Sequence, residues 1–347
     1  MRTLLIGLGV VLALLAGAYA AVMNVPAVQD ALFKRVISRT LQSPPPPPEG
    51  LRVTVCGSAS PLGNLLNRAQ ACIAVQTPEH LLLFDVGARS PVRIAQAQLP
   101  LDRLDGVFLT HFHSDHIAAL PDINLASWVR GRPAPLKVFG PQGVDEVVDG
   151  FNTAYALDRR YRTAHHGADL LPPANGFMAA HTLNASGVAF ERAGLTVTAF
   201  PVAHPPIEPA LGYRVDYRGR SIVISGDSNV SETLFAVAEG TDLVIHDALS
   251  RAMLDPMIEA ATAAGVPVLP RIMTDVIDYH ADTTALAARA EKANIGRLVL
   301  YHLVPAPPNA IAARVFARGL PDDIILAVDL LRFDLPPDSD SMTIHEP

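Results

Sequence analysis

The chain has 347 residues, half of them hydrophobic, enough for one large domain or two ordinary ones around a substantial core. A net charge of −7 provides no basic footprint for nucleic acid. Two cysteines, Cys56 and Cys72, are too few for a disulfide scaffold or a cysteine-based zinc module, and no phosphate-cradling glycine motif is present.

Leu4 to Met23 is an almost unbroken apolar run behind Arg2, long enough to span a bilayer. Ala18-Tyr19-Ala20 offers a cleavage pattern, so residues 1–23 read as a signal peptide or an uncleaved anchor, with Arg2 as the positive-inside flank. Both readings export the rest of the chain, to a membrane-anchored or periplasmic location. Val25 to Leu41 reads as a juxtamembrane helix with Val28, Leu32, Val36 and Ile37 on one face. The prolines Pro44 to Pro48 then form a stiff spacer. Residues 24–50 are therefore helix and linker, and the globular part starts near Gly50.

Leu51–Gly57, Ala71–Gln76 and Leu81–Gly87 predict a β-meander, with a Gly, Ser and Pro-rich loop through Asn64. Cys56 and Cys72 fall on strands that can be neighbours; a disulfide and two separately buried thiols both remain open. Asp85, at a strand end, suits bracing of the next loop through backbone amides. Leu104 to Thr110 is a further strand, Ile117 to Val129 a helix, Leu136–Gly140 a strand and Gly143–Leu157 a helix. Arg159 to Gly176 lacks periodicity and reads as a surface loop, with His165 and His166 either exposed or lining a pocket. Val188 to Val202 supplies one or two strands, and Gly212–Tyr217 with Arg220–Asp227 forms a hairpin about Arg218-Gly219. Ser228 is placed as a helix N-cap. Asp242–Asp247 is a strand, Thr283–Ala293 a helix capped by Asp282, and Arg297–His302 a strand. A helix over Asn309–Arg318 and a strand over Ile324–Phe333 complete the pattern, leaving 336–347 as a tail.

Between the 104–110 strand and the following helix lies Thr110-His-Phe-His-Ser-Asp-His116. His111, His113, Asp115 and His116 occupy a strand-to-helix loop that can aim them at one point. Imidazole and carboxylate donors there suit zinc or a similar divalent ion. His204, Asp227 and His302 each end a predicted strand, so all of them can meet on one sheet rim.

In that order, His-Phe-His-Ser-Asp-His, His204, Ser225-Gly-Asp227 and His302 resemble the metallo-β-lactamase superfamily, over Leu51 to Leu335. The resemblance implies an α/β (α+β) fold, a four-layered αββα sandwich, here behind an N-terminal hydrophobic helix, with residues 51–335 as the catalytic domain. It implies two divalent metal ions, with Zn2+ expected. His111, His113 and His204 would bind one, Asp115, His116 and His302 the other, and Asp227 both. Within the superfamily the likeness is to tRNA 3′-processing endonucleases (ribonuclease Z) and to related phosphodiesterases and arylsulfatases. It rests on His280, one helix before His302, and on Val55-Cys-Gly-Ser-Ala-Ser-Pro61. His280 would then assist the leaving group, while Asp115 orients the nucleophile, a hydroxide bridging the ions. Asp85 and Asp247 are expected to hold ligand tautomers.

The tRNA enzymes carry a long arm between the positions matching His204 and Asp227, where this chain has only a hairpin. With the acidic balance, that reading favours a small-molecule phosphodiester or sulfate ester, argues against nucleic acid, and makes the membrane a partner only through the N-terminal segment. A lactone or β-lactam hydrolase, a ribonuclease Z-like endonuclease and a non-hydrolytic metal-binding or redox protein are the alternatives. The oligomeric state, a homodimer included, is left open.

Overall fold

The computed structural model describes residues 2–40, 45–63 and 68–347, in two compact units, Met1–Pro45 and Pro46–Pro347. The first consists of the helices Arg2–Asn24 and Pro26–Thr40. Ile6–Asn24, 19 residues of mean hydropathy 2.3, is long and apolar enough to cross a membrane. The second helix opens on a proline, whose missing N–H costs nothing in a first turn. Leu41, Pro44 and Asn64, from the expected helix, spacer and loop, lie outside the described residues.

The second unit carries fifteen strands, in chain order β1 (Leu51–Gly57), β2 (Cys72–Gln76), β3 (Leu81–Phe84), β4 (Leu104–Phe108), β5 (Leu136–Gly140), β6 (Met178–Thr182), β7 (Gly187–Arg192), β8 (Leu195–His204), β9 (Ile207–Tyr217), β10 (Arg220–Ile224), β11 (Leu243–Leu249), β12 (Leu298–Val304), β13 (Ile325–Leu326), β14 (Arg332–Leu335) and β15 (Thr343–His345). They form an eight-stranded sheet, ordered β15-β14-β1-β2-β3-β4-β5-β6, and a seven-stranded one, ordered β13-β12-β11-β10-β9-β8-β7.

The period-two alternation of strand side chains explains the layering. Ile73, Val75, Leu82 and Phe84 point inward to meet Val215, Ile222, Ile224 and Ile245 from the other sheet. Their neighbours Cys72, Ala74, Leu81 and Leu83 point outward onto Ile94, Leu120, Ile123 and Val148 of helices. Across the second sheet, Val223 and Val244 meet Leu234, Phe235, Leu286 and Phe316 of other helices. Three apolar interfaces thus separate four layers, the expected αββα sandwich. Each large side chain buried there contributes roughly 1.5–3 kcal/mol. Phe108, the last residue of β4, stacks on Phe84 and Phe139 with centroids 5.1 and 4.5 Å away, which stiffens the strand end from which the histidine loop departs.

Cys56 and Cys72 are joined by a disulfide, both side chains fully buried, across a register shift between β1 and β2.

Three expectations fail for identifiable reasons. Residues 159–176 are not a loop: Ala156–His166 is a helix, followed by a 3-10 turn at Pro173–Gly176. Its buried face is built on Arg159, whose guanidinium lies 4.0 Å over the Phe177 ring and donates to the Asn152 carbonyl. A charged stem used as apolar surface escapes a hydrophobic-periodicity reading. Ser228 caps no helix; the cap is Ser231, which accepts from Leu234 N–H ahead of Glu232–Val237. The strand expected over Ile324–Phe333 is two strands in different sheets, since the chain crosses over at Leu330 (φ 73°) to reach β1.

Candidate metal centre and cleft

The rim of the sandwich is assembled from strand ends. After β4 the chain is tied to the opposite sheet: Tyr213 Oη donates to the Leu109 carbonyl at 2.6 Å, and Leu211 N–H to the Thr110 carbonyl at 2.9 Å. Asp85, in a left-handed conformation (φ 54°), accepts from Thr110 N–H and Oγ1–H at 2.9 and 2.8 Å. It also lies 2.8 Å from His116 Nδ1. Asp85 is therefore the expected brace of the loop, and it holds His116 so that Nε2 faces inward.

His111, His113, His204 and Asp227 bring one ligand-type atom each to within 4.8 Å of one another, and so do Asp115, His116, Asp227 and His302. Asp227 belongs to both groups, as the sequence reading placed it. All of these but His113 are buried. His204 at the end of β8 is oriented by its Nδ1, 3.0 Å from the Tyr279 carbonyl. His302 lies inside β12, not at its end, where a register shift against β11 and a positive φ of 43° turn it to the rim. Backbone strain of this kind persists where surrounding structure imposes it.

Burial alone would push the Asp115 carboxyl up, but His116 and His302 outweigh it and hold it at about 2. Asp227, opposed by burial and favoured by His116 and His302, stays well below the usual carboxylate range. Burial pushes His111, His113 and His204 down toward neutral imidazoles. His116 and His302 are driven up, against burial, first of all by Asp227. Two ionised carboxylates among five imidazoles form a donor set suited to a divalent cation. His116 Nε2 and His302 Nδ1 are moreover buried and crowd the Asp227 carboxylate, at 3.2 Å from Oδ2 and 3.3 Å from Oδ1, none of them in a well-aligned hydrogen bond, an arrangement that a coordinated cation would satisfy. The residues fit divalent metal.

A third group joins Asp227 to Asp247 and His280. Asp247 Oδ2 lies 2.8 Å from His280 Nδ1, Asp247 Oδ1 accepts from Ser228 N–H at 3.2 Å, and His246 Nδ1 is 2.9 Å from Oδ1. The Asp247 carboxyl is held down against burial by His246 and His280. With Nδ1 engaged, His280 keeps Nε2 for the cleft of about 270 Å³ that it lines with His113, Asp115, Asp227 and His302. His165 and His166 do not line it; they end an outer helix, exposed, with rings 4.7 Å apart. Sequence reasoning missed the opposite wall, Pro61, Leu62, Ile272, Val276, Tyr279 and Val304. An aromatic residue directly before His280 was the available signal.

A family model described as "Beta-lactamase superfamily domain" matches residues 82–303. The ribonuclease Z of Mycobacterium bovis (strain BCG / Pasteur 1173P2) is 34% identical over 259 residues, 74% of this chain and 87% of that protein. The ribonuclease Z of Mycobacterium sp. (strain KMS) is 33% identical over 292 residues, 83% of this chain and 97% of that one. The metallo-β-lactamase fold protein YhfI of Bacillus subtilis superposes with a TM-score of 0.59 at 18% identity, over 82% of this chain and 98% of that one. Human tRNase Z, short form, gives 0.57 at 21%, over 81% and 98%. The chain belongs to the β-lactamase superfamily and is a metallohydrolase of that fold. Within it, the chain falls in the ribonuclease Z branch and is of the phosphodiesterase type.

These relatives overturn the expectation of a small-molecule ester partner with nucleic acid disfavoured. Net charge is a sum over the whole surface, and charges beyond about 10 Å are screened from the site at ordinary ionic strength.

Proposed function

We propose that the chain hydrolyses phosphodiester bonds of RNA at a two-metal centre. His111, His113 and His204 hold one ion, Asp115, His116 and His302 the other, and Asp227 is shared. The observation that carries this reading is the pair of ligand groups meeting at Asp227, with buried imidazole nitrogens crowded on its carboxylate, beside His280 in an open cleft. The ribonuclease Z relatives support RNA as the substrate class.

Divalent ions, zinc in this reading, supply Lewis acidity at a phosphoryl oxygen and a hydrolytic water activated near neutral pH. Asp115 and Asp227, which would hold the ions, would also be placed to orient the attacking water. His280 donates a proton from Nε2 to the departing oxygen, and Asp247, accepting from Nδ1–H, steadies the ring and the charge it carries.

Residues 1–23 then act as signal or anchor, 24–50 as linker, and 51–335 as the catalytic domain, which the expected tail extends by pairing β15 onto β14. The apolar N-terminal helix and the buried disulfide support export to an oxidising compartment.

The full chain, loaded with zinc and assayed for bound metal, should cleave RNA and bis(p-nitrophenyl) phosphate and lose both activities on chelation. Protein holding two equivalents of metal that leaves both intact would refute the phosphodiesterase reading. Carbonate extraction of membranes tests the anchor, and a soluble cytoplasmic location refutes export.

A further inference from the structure

The cleft beside His280 has two unlike walls. One carries the metal-type ligands; the other is Pro61, Leu62, Ile272, Val276, Tyr279 and Val304. No lysine or arginine is among the described residues lining it. A phosphodiester substrate entering this cleft therefore meets no cation on the apolar wall to grip a flanking phosphate. The surface offered is flat, apolar and in part aromatic. Tyr279 is half-buried, its ring set edge-on to His204 (centroids 5.1 Å) and tilted to His280 (4.9 Å), which holds it beside the reacting position. Ile272, from the helix Leu269–Asp275, lines the cleft and remains 49% exposed there.

Resting on the phosphodiesterase reading, we propose that this wall is a nucleobase subsite: the base next to the scissile phosphate stacks on Tyr279 and packs between Ile272 and Val276 on one side and Leu62 on the other. A base has an apolar face and needs no charge to bind, so chemistry and lining agree. The metal-type centre then selects the phosphodiester, while this wall selects for a base attached to it. The site so defined accepts any base, because among the described lining residues the buried Ser60 hydroxyl already donates to the Leu303 carbonyl at 2.8 Å and is not free to donate to a base edge.

The test uses the zinc-loaded full chain with two substrates, an RNA dinucleotide and the same diester lacking the base next to the scissile phosphate. The dinucleotide should show a KM lower by on the order of tenfold, about 1.4 kcal/mol. Ile272→Asp should weaken binding of both diesters through its charge but raise the dinucleotide KM about tenfold more than the abasic KM. Tyr279→Phe, which keeps the ring, should preserve discrimination, and Tyr279→Ser should abolish it. Equal KM values for the two substrates, or discrimination unchanged in Ile272→Asp, would overturn the subsite and leave the phosphodiesterase reading standing. Turnover of neither diester overturns that reading and the subsite with it.

Discussion

Substitution of Asp85 by Asn separates support of the histidine loop from metal binding. Asn keeps the volume and tolerates the left-handed backbone that Asp85 adopts at φ 54°. Its amide oxygen can still accept from Thr110 N–H, now 2.9 Å from Oδ1. The other atom becomes an NH2, which cannot accept from His116 Nδ1–H at the native 2.8 Å. The ring then relaxes by taking the other tautomer, with a proton held on Nε2, 3.2 Å from Asp227 Oδ2, where it blocks that nitrogen as a metal ligand. Loss of such a supporting partner lowers metal affinity about 10–100-fold, roughly 1.4–2.7 kcal/mol. Fold stability in chelator should fall by about 1–3 kcal/mol, since the replaced Oδ2 accepts from both Thr110 Oγ1 and His116 Nδ1 and each such bond is worth roughly 0.5–1.5 kcal/mol. Competition against a chromophoric chelator gives the first quantity, and urea unfolding in EDTA the second. Metal affinity within twofold of the parent would refute the argument that Asp85 sets the His116 tautomer.

His280→Ala should lower kcat by about 10²–10⁴-fold at unchanged metal content, and kcat within threefold of the parent would remove the proton-donor role. Cys56→Ala/Cys72→Ala opens a bridge between residues 16 apart and should lower unfolding stability by about 3 kcal/mol in urea titration. The same loss should follow from dithiothreitol treatment of the parent under unfolding conditions, and a change under 1 kcal/mol in the double variant contradicts the bridge. In Gly226→Ala the new Cβ would sit 2.7 Å from Thr110 Cβ at a φ of 64°, pressing the loop before Asp227 against the histidine loop. Bound metal should drop below two equivalents by elemental analysis, and full occupancy would show that Asp227 is not positioned by this contact.

The clustering of the proposed ligands was legible because their spacing is local or ends on strands: His111 to His116 lie close together in sequence, and His204 closes a strand. His302 shows the limit of that signal. It sits within β12 and reaches the rim through a positive φ and a register shift, neither of which an apolar strand pattern carries. The 156–166 helix was hidden for a different reason, since the face it buries is an arginine stem. The apolar wall eluded the sequence because Leu62, Ile272 and Val304 are ordinary hydrophobic residues until three distant segments bring them to one cleft.

The same non-locality explains why the acidic composition misled. A net charge of −7 sums every charged side chain of the sequence, wherever it lies, and exposed charges more than about 10 Å apart are largely screened. What a diester meets inside the cleft is set by the few groups lining it. There, two carboxylates turned toward the metal-type ligands are exchanged for net positive charge once divalent ions bind. The remaining wall carries no charge at all among its described residues. Repulsion of a polyanion is thus a property of the outer surface, reported by the salt dependence of KM for long RNA. A dinucleotide, held by the centre and the apolar wall alone, should show almost none of that dependence between low and physiological salt. A steep dependence for the dinucleotide as well would mean that exposed charges do reach the cleft, and the separation argued here would fail.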